Sequence, residues 1–222
     1  MHEFGYAQEQ SNVLNGHRIL RVTGKGVIET ESDVAQVTLT VVTRDESLSI
    51  SQSTNAETMD QVIGALLELG LTTEQIKTVS YTIYPQYQYV DGEQQFIGYE
   101  VRNSIQVTIY DIGVVGEVVD EAVRNGVNEV SGLSFSVKDP QAVYRLALQE
   151  ALEDAVLKAM SLTSAMQVSL DPTPIEVNEQ GALSDPVTPY TMTLEQSQTL
   201  TPIEPGMIEV EANLIAKFHY HS

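Results

Sequence analysis

Residues 76–110 read IKTVSYTIYPQYQYVDGEQQFIGYEVRNSIQVTIY, and what flanks this stretch on either side decides the fold. Val79, Tyr81, Ile83, Tyr87 and Tyr89 recur at the strand period of two over Ile76–Tyr89, and a second arm runs from Phe96 to Tyr110. Asp91-Gly92 between the arms is a tight-turn dipeptide, because both positions tolerate positive φ, so the stretch predicts a two-stranded ribbon.

Upstream, Ile50 leads into a helical stripe of Met59, Val62, Ile63, Leu66 and Leu67 that stops at Gly70. Before that helix, Val34–Val42 alternates Val37, Leu39 and Val41 against Thr38, Thr40 and Val42, which predicts a strand. Downstream, Asp111 is an N-cap for a helix over Ile112–Asn125, whose Ile112, Val115, Val119, Ala122 and Val123 share one face before Gly126. Val127–Val137 then alternates again through Val130, Leu133, Phe135 and Val137. The order from Asp33 to Val137 is therefore strand, helix, strand, strand, helix, strand, that of a split βαβ or ferredoxin-like unit. The expected class is α+β with antiparallel sheets.

Three elements remain outside this unit. Arg18 to Ile28 reads as a strand with a bend or bulge at Gly24-Lys25-Gly26. Asp139-Pro140 opens a third helix, about Gln141–Gln167, in which Ala147, Ala151, Ala155 and Ala159 recur every four residues while Leu146, Leu148, Leu152, Val156, Leu157 and Leu162 fill much of the remaining girth. A helix apolar on two faces needs two covers, so it lies between two layers or against another subunit. Met207–Tyr220 alternates strictly through Ile208, Val210, Ala212, Leu214, Ala216 and Phe218, and the simplest use of the two terminal strands is to pair with each other or extend the sheet. Ser169–Pro205 is acidic and Pro-rich, with no Lys or Arg between Lys158 and Lys217; short edge strands are expected at Ile175–Asn178 and Pro189–Leu194. The chain thus divides into a flexible polar leader (1–17), a terminal strand plus ferredoxin-like unit (18–138), and a segment (139–222) of long helix, acidic stretch and closing strand.

Over 222 residues, 31 Asp and Glu oppose 11 Lys and Arg, a net charge of −20 that repels phosphate backbones and anionic lipid surfaces. Nucleic acid is therefore not an expected partner. The chain has no cysteine and no run of roughly 20 apolar residues, so neither thiolate chemistry nor a membrane-spanning helix is expected.

Catalytic constellations are sparse. His219 and His221 point to one side of a strand, yet a metal needs at least one more ligand. Gly24-Lys25-Gly26 lacks the spaced first glycine and the following Ser or Thr of a phosphate loop, and Ser131-Gly132 has no base to activate it. Glu150 with Asp154, and Glu117 with Asp120 or Glu121, read as solvated helix faces; were Asp154 buried, Lys158 at i+4 would be its partner. No catalytic, cofactor or metal residues are assigned. Tyr81, Tyr84, Tyr87, Tyr89 and Tyr99 crowd one hairpin, either as cross-strand packing or as a subunit contact.

Val22-Thr23-Gly24-Lys25-Gly26, Asn55–Met59 with Gly70-Leu71, Tyr84-Pro85 and Ile97-Gly98-Tyr99-Glu100-Val101-Arg102-Asn103 together resemble the SIMPL-domain (YggE-like) family. Asp111 to Gly116, Ala151-x-x-Asp154-Ala155-x-x-Lys158-Ala159 and the Pro205-Gly206 turn extend the resemblance from about Arg18 to Tyr220. Val156 stands where an arginine is common and Gln167 where a glycine usually ends the helix. The resemblance implies an exported protein of the bacterial periplasm or cell envelope, its signal peptide absent from this chain, with no established enzymatic activity. It also implies large ring-like or channel-like homo-oligomers and a link to stress responses and antigenicity. The expected function is accordingly a non-enzymatic homo-oligomer, with contacts at Tyr81, Tyr87, Tyr89, Tyr99, Ala151, Ala155 and Ala159. The alternative is a monomeric or dimeric ligand- or cation-binding module with a cleft beside the acidic segment.

Overall fold

The computed structural model describes residues 18–180, 190–191 and 203–221. The expected leader (1–17) and much of the acidic Pro-rich stretch lie outside the described residues. In chain order the elements are β1 (Arg18–Glu31), β2 (Val34–Asp45), α1 (Leu48–Glu68), β3 (Ile76–Val90), β4 (Glu93–Ile109), α2 (Val115–Arg124), β5 (Glu129–Ser136), α3 (Pro140–Ala165), β6 (Ser169–Leu170), β7 (Glu176–Gln180), β8 (Tyr190–Thr191) and β9 (Met207–His221). The protein is α+β and its strands pair antiparallel. The described residues divide into two units, a smaller one of residues 18–27, 144–180 and 211–221 and a larger one of residues 28–143, 190–191 and 203–210.

In the larger unit the sheet order is β3-β4-β2-β5-β8. α1 links β2 to β3, which have β4 between them, and α2 links β4 to β5, which have β2 between them. The alternation seen in the sequence puts Val37, Leu39 and Val41 of β2, Ile105, Val107 and Ile109 of β4 and Leu133 and Phe135 of β5 into one core. Met59, Val62 and Leu66 of α1 and Val115, Val118, Val119 and Ala122 of α2 close it. The expected stripes hold except at their margins, where Leu67 and Val123 face solvent and Val118 takes an inward place. Asp111 accepts from Gly113 N at 2.9 Å as expected of a cap, but a 3₁₀ turn over Ile112–Val114 precedes the α-helix.

Among the described residues, the α-helices α1, α2 and α3 end the same way. After α1, Leu71 N donates to Leu66 O and Gly70 has φ 95°; after α2, Val127 N donates to Ala122 O and Gly126 has φ 115°. After α3, Val168 N donates to Thr163 O, and the left-handed position belongs to Gln167 with φ 56°. The cap geometry thus survives where the usual glycine is missing.

The smaller unit has the sheet order β1-β9-β6, with β7 also paired to β9. Its core joins Val22 of β1 and Leu214, Ala216 and Phe218 of β9 to Ala151, Ala155 and Ala159 of α3. Gly24-Lys25-Gly26 lies inside an unbroken β1, which corrects the expected bend. The glycines are there for contact: a methyl at Gly24 would fall 1.9 Å from Ala151 O, and one at Gly26 2.0 Å from Ala147 O. This approach also explains why the division differs from the expected 18–138 and 139–222. Residues 18–27 pair with β9 and pack on the alanine face of α3, so they belong with those elements.

Candidate functional site: an aromatic ribbon and the flank of the third helix

β4 pairs with β2 only as far as Tyr99 opposite Asp45. Beyond that point, among the described residues, β3 and β4 pair with each other alone, Tyr87 opposite Phe96 and Val90 opposite Glu93, so a two-stranded ribbon projects from the sheet. It turns at Asp91 and Gly92, with φ 54° and 87°, as a primed hairpin turn requires. Its root is Gly98: φ is 139°, the register with β3 shifts beside it, and a methyl there would meet Asp45 O at 2.6 Å.

Among the described residues β3 is the outermost strand of this sheet, which is what admits Pro85. With no N–H to donate, a proline fits a ladder only with its nitrogen turned to the open edge.

Tyr81, Ile83, Pro85, Tyr87 and Tyr89 alternate onto one face of β3, that of the buried Val101, whereas Tyr84 opposes Glu100 on the other. Tyr87 and Phe96 meet edge-on with ring centroids 5.8 Å apart, and Phe96 meets Tyr99 at 5.1 Å. Of the four tyrosines proposed from sequence, Tyr89 is 74% exposed, Tyr81 and Tyr87 are each 48% exposed, and Tyr99 is half-buried at the root. Phe96, at the centre of the ring chain, was missing from that set. Its signal was the hairpin register, since counting outward from Asp91-Gly92 sets Phe96 near Tyr87.

The other face of the ribbon root carries a ladder of charges. Arg44 Nε donates to Glu100 Oε2 at 2.7 Å, Arg102 lies 3.3 Å from Glu100 Oε1, and Arg102 also pairs with Glu129. Burial pushes the Glu100 carboxyl up, but the hydrogen bonds and charges of Arg44 and Arg102 outweigh it and hold the group below the ordinary glutamate value. The ladder ties β2, β4 and β5 together where the ribbon departs.

On α3, Ala151, Ala155 and Ala159 are wholly buried in their own unit, so the structure corrects their proposed place between copies. The exposed apolar groups of α3 are Leu146, Leu157, Met160 and Leu162. Asp154 has the expected partner, Lys158 Nζ at 2.6 Å, and also accepts from Lys25 N at 2.8 Å. Those two bonds, that of Lys158 first, hold its carboxyl below the ordinary aspartate range. Glu150 accepts from Val27 N at 3.3 Å, so this carboxylate pair binds the edge of β1.

His219 and His221 lie on β9 near β6, where Asp171 N donates to His219 O and His221 pairs with Ser169. Among the described residues no group of three or more His, Cys, Asp or Glu could hold a metal ion. Among them, too, no helix is long and apolar enough to cross a membrane.

These features define an antiparallel α+β protein whose surface is marked by a projecting aromatic ribbon. The chain belongs to the SIMPL family, a protein of unknown function (DUF541), whose model matches residues 20–218. Over 205 residues it is 30% identical to the 26 kDa periplasmic immunogenic protein of Brucella melitensis biotype 1, covering 90% of this chain and 80% of that protein. Over 168 residues it is 23% identical to the uncharacterized protein YggE of Escherichia coli K12, covering 76% of this chain and 68% of the relative.

Proposed function

We propose that this is a non-enzymatic, exported cell-envelope protein that works as a homo-oligomer, its copies meeting through the β3–β4 ribbon. The observation that carries the reading is the ribbon itself: Tyr81, Tyr87, Tyr89 and Phe96 all stand 47% exposed or more on one hairpin. Aromatic side chains are the residues that protein interfaces enrich. Four half-exposed rings supply on the order of 400 Å², about half of the roughly 800 Å² per partner that a standard interface buries. Ile97 and Val90, also exposed there, extend the patch. Export to the periplasm rests on the name of the Brucella relative. A part in stress responses rests on the family resemblance alone.

Solution mass by light scattering on a sizing column tests the reading, at low and moderate salt so that charge repulsion is separated from dissociation. A discrete mass several-fold above the monomer, falling in a Tyr87→Ala, Phe96→Ala double variant, supports it. A monomer at both salts sinks it, and thermal-shift screening for ligands or divalent cations would follow.

A further inference from the structure

Within the smaller unit, the N–H groups of Lys25 and Val27 donate to Asp154 and Glu150, and Thr23 O accepts from Lys158 Nζ at 3.2 Å. In an antiparallel strand the N–H and C=O of one residue share a side, and the sides alternate along the chain. The odd-numbered residues of β1 therefore turn their backbone toward α3 and away from β9. By the same alternation Ile19, Arg21 and the N–H of Thr23 are presented on that edge. β1 is the outermost strand of its sheet among the described residues.

The α3 carboxylates thus occupy this edge at residues 25 and 27 and stop there. Next to them a groove of about 710 Å³ opens, lined by Arg21, Thr23, Leu157, Lys158, Ser161 and Leu162 among others. None of its lining residues is acidic, although the chain carries 31 acidic residues, and two of the 11 basic ones are here. Asp154 engages Lys158 and Arg21 acts on Glu176, yet an ammonium has three donors and a guanidinium five. Leu157 and Leu162 offer apolar wall, being 64% and 47% exposed.

We propose that this groove accepts an extended acidic peptide as an added strand along residues 19–23 of β1. Backbone donors and acceptors at strand spacing match a second peptide backbone, which supplies most of the affinity in strand addition. On the α3 side an apolar side chain of the peptide rests on Leu157 and Leu162 beside Lys158, and on the opposite face of the strand a carboxylate meets Arg21. The inference concerns the smaller unit and stands apart from the ribbon.

Fluorescence anisotropy with a fluorescein-labelled hexapeptide of alternating valine and glutamate tests it on the full chain. Saturable binding is expected, weakened about tenfold when alternate peptide amides are N-methylated, because each lost hydrogen bond to the edge removes a share of the affinity. Arg21→Gln and Leu162→Glu each weaken it several-fold with an unchanged circular dichroism spectrum. The N-methylated control alters only the ligand, so it reads the backbone ladder whether or not a variant folds. No saturable binding, equal binding of the N-methylated peptide, or equal binding of a valine–lysine hexapeptide would overturn the proposal. So would full displacement by decanoate, which marks a groove for amphipathic anions.

Discussion

Gly24 on β1 sits so close to Ala151 on α3 that a side-chain carbon would fall 1.9 Å from the Ala151 carbonyl oxygen. Gly24→Ala must push helix and strand apart, an overpacking cost on the order of 3 kcal/mol. Gly64, in the middle of α1, has nothing within 4 Å of such a carbon, so Gly64→Ala gains about 0.5–1 kcal/mol from helix propensity. Urea denaturation of the two variants should give shifts of opposite sign.

Asn55 ties α1 to two strands at once, its Nδ2 donating to Val41 O at 2.9 Å and to Val101 O at 3.2 Å, and it is wholly buried. Asn55→Ala should cost about 1–3 kcal/mol, the range for leaving buried polar groups unmet. Asn55→Asp should cost more at pH 7, because it buries a charge beside two carbonyl oxygens. The gap between the variants should close in acid, as the aspartate takes up a proton. A gap that persists at pH 3 would show that the Asp variant fails for another reason.

Gln167 holds the left-handed position that glycine holds after α1 and α2. A non-glycine residue there costs roughly 1–2 kcal/mol, partly offset by the greater backbone entropy of glycine in the unfolded chain. Gln167→Gly is therefore expected to stabilise the protein by about 0.5–1 kcal/mol. Thermal unfolding reads this as a rise in Tm, and an unchanged or lower Tm contradicts it.

Glu100 has a folded pKa below its unfolded value. Its ion pairs with Arg44 and Arg102 therefore contribute stability that is present above the unfolded glutamate pKa and lost as pH falls through the folded one. Stability of the wild type should drop over that acid window. Glu100→Gln should lie lower at pH 7 and depend less on pH, and parallel profiles for the two proteins would exclude Glu100 as the source.

Tyr144 donates to Glu179 Oε1 at 2.6 Å, and that hydrogen bond, followed by burial and the carboxylate charge, raises its pKa to about 12. The sign is opposite to that of Glu100. The contribution is complete below the unfolded tyrosine value and disappears as pH rises through about 12. Ultraviolet titration should show one tyrosine ionising late, and Glu179→Gln should return it toward the others.

The sequence carried much of this architecture because strand and helix periods are local. Val37, Leu39 and Val41 announced a buried strand face, Asp91-Gly92 a turn, and Gly70 and Gly126 two helix stops, and each needs only neighbouring residues to act. Tyr81, Tyr87 and Tyr89 were legible as surface candidates for the same reason, since alternation sets them on one face. Their exposure was not legible, because it depends on β2 ending its pairing at Asp45.

By itself, then, the sequence determined the element types, their order, the acidic charge and the family. Tertiary structure alone decided the rest, because proximity across the chain has no local signature. Ala151, Ala155 and Ala159 recur on one side of α3 whether they face a second copy or their own sheet. Only Gly24 and Gly26, on a strand whose hydrogen bonds to α3 (Lys25 N to Asp154, Val27 N to Glu150) span more than 120 positions, let β1 approach closely enough to bury those alanines. The same approach placed Asp154 and Glu150 on the edge of β1 and set the groove beside Arg21 and Lys158. Gly24-Lys25-Gly26, which in one dimension reads as a bend or bulge, is in three the surface on which a helix rests.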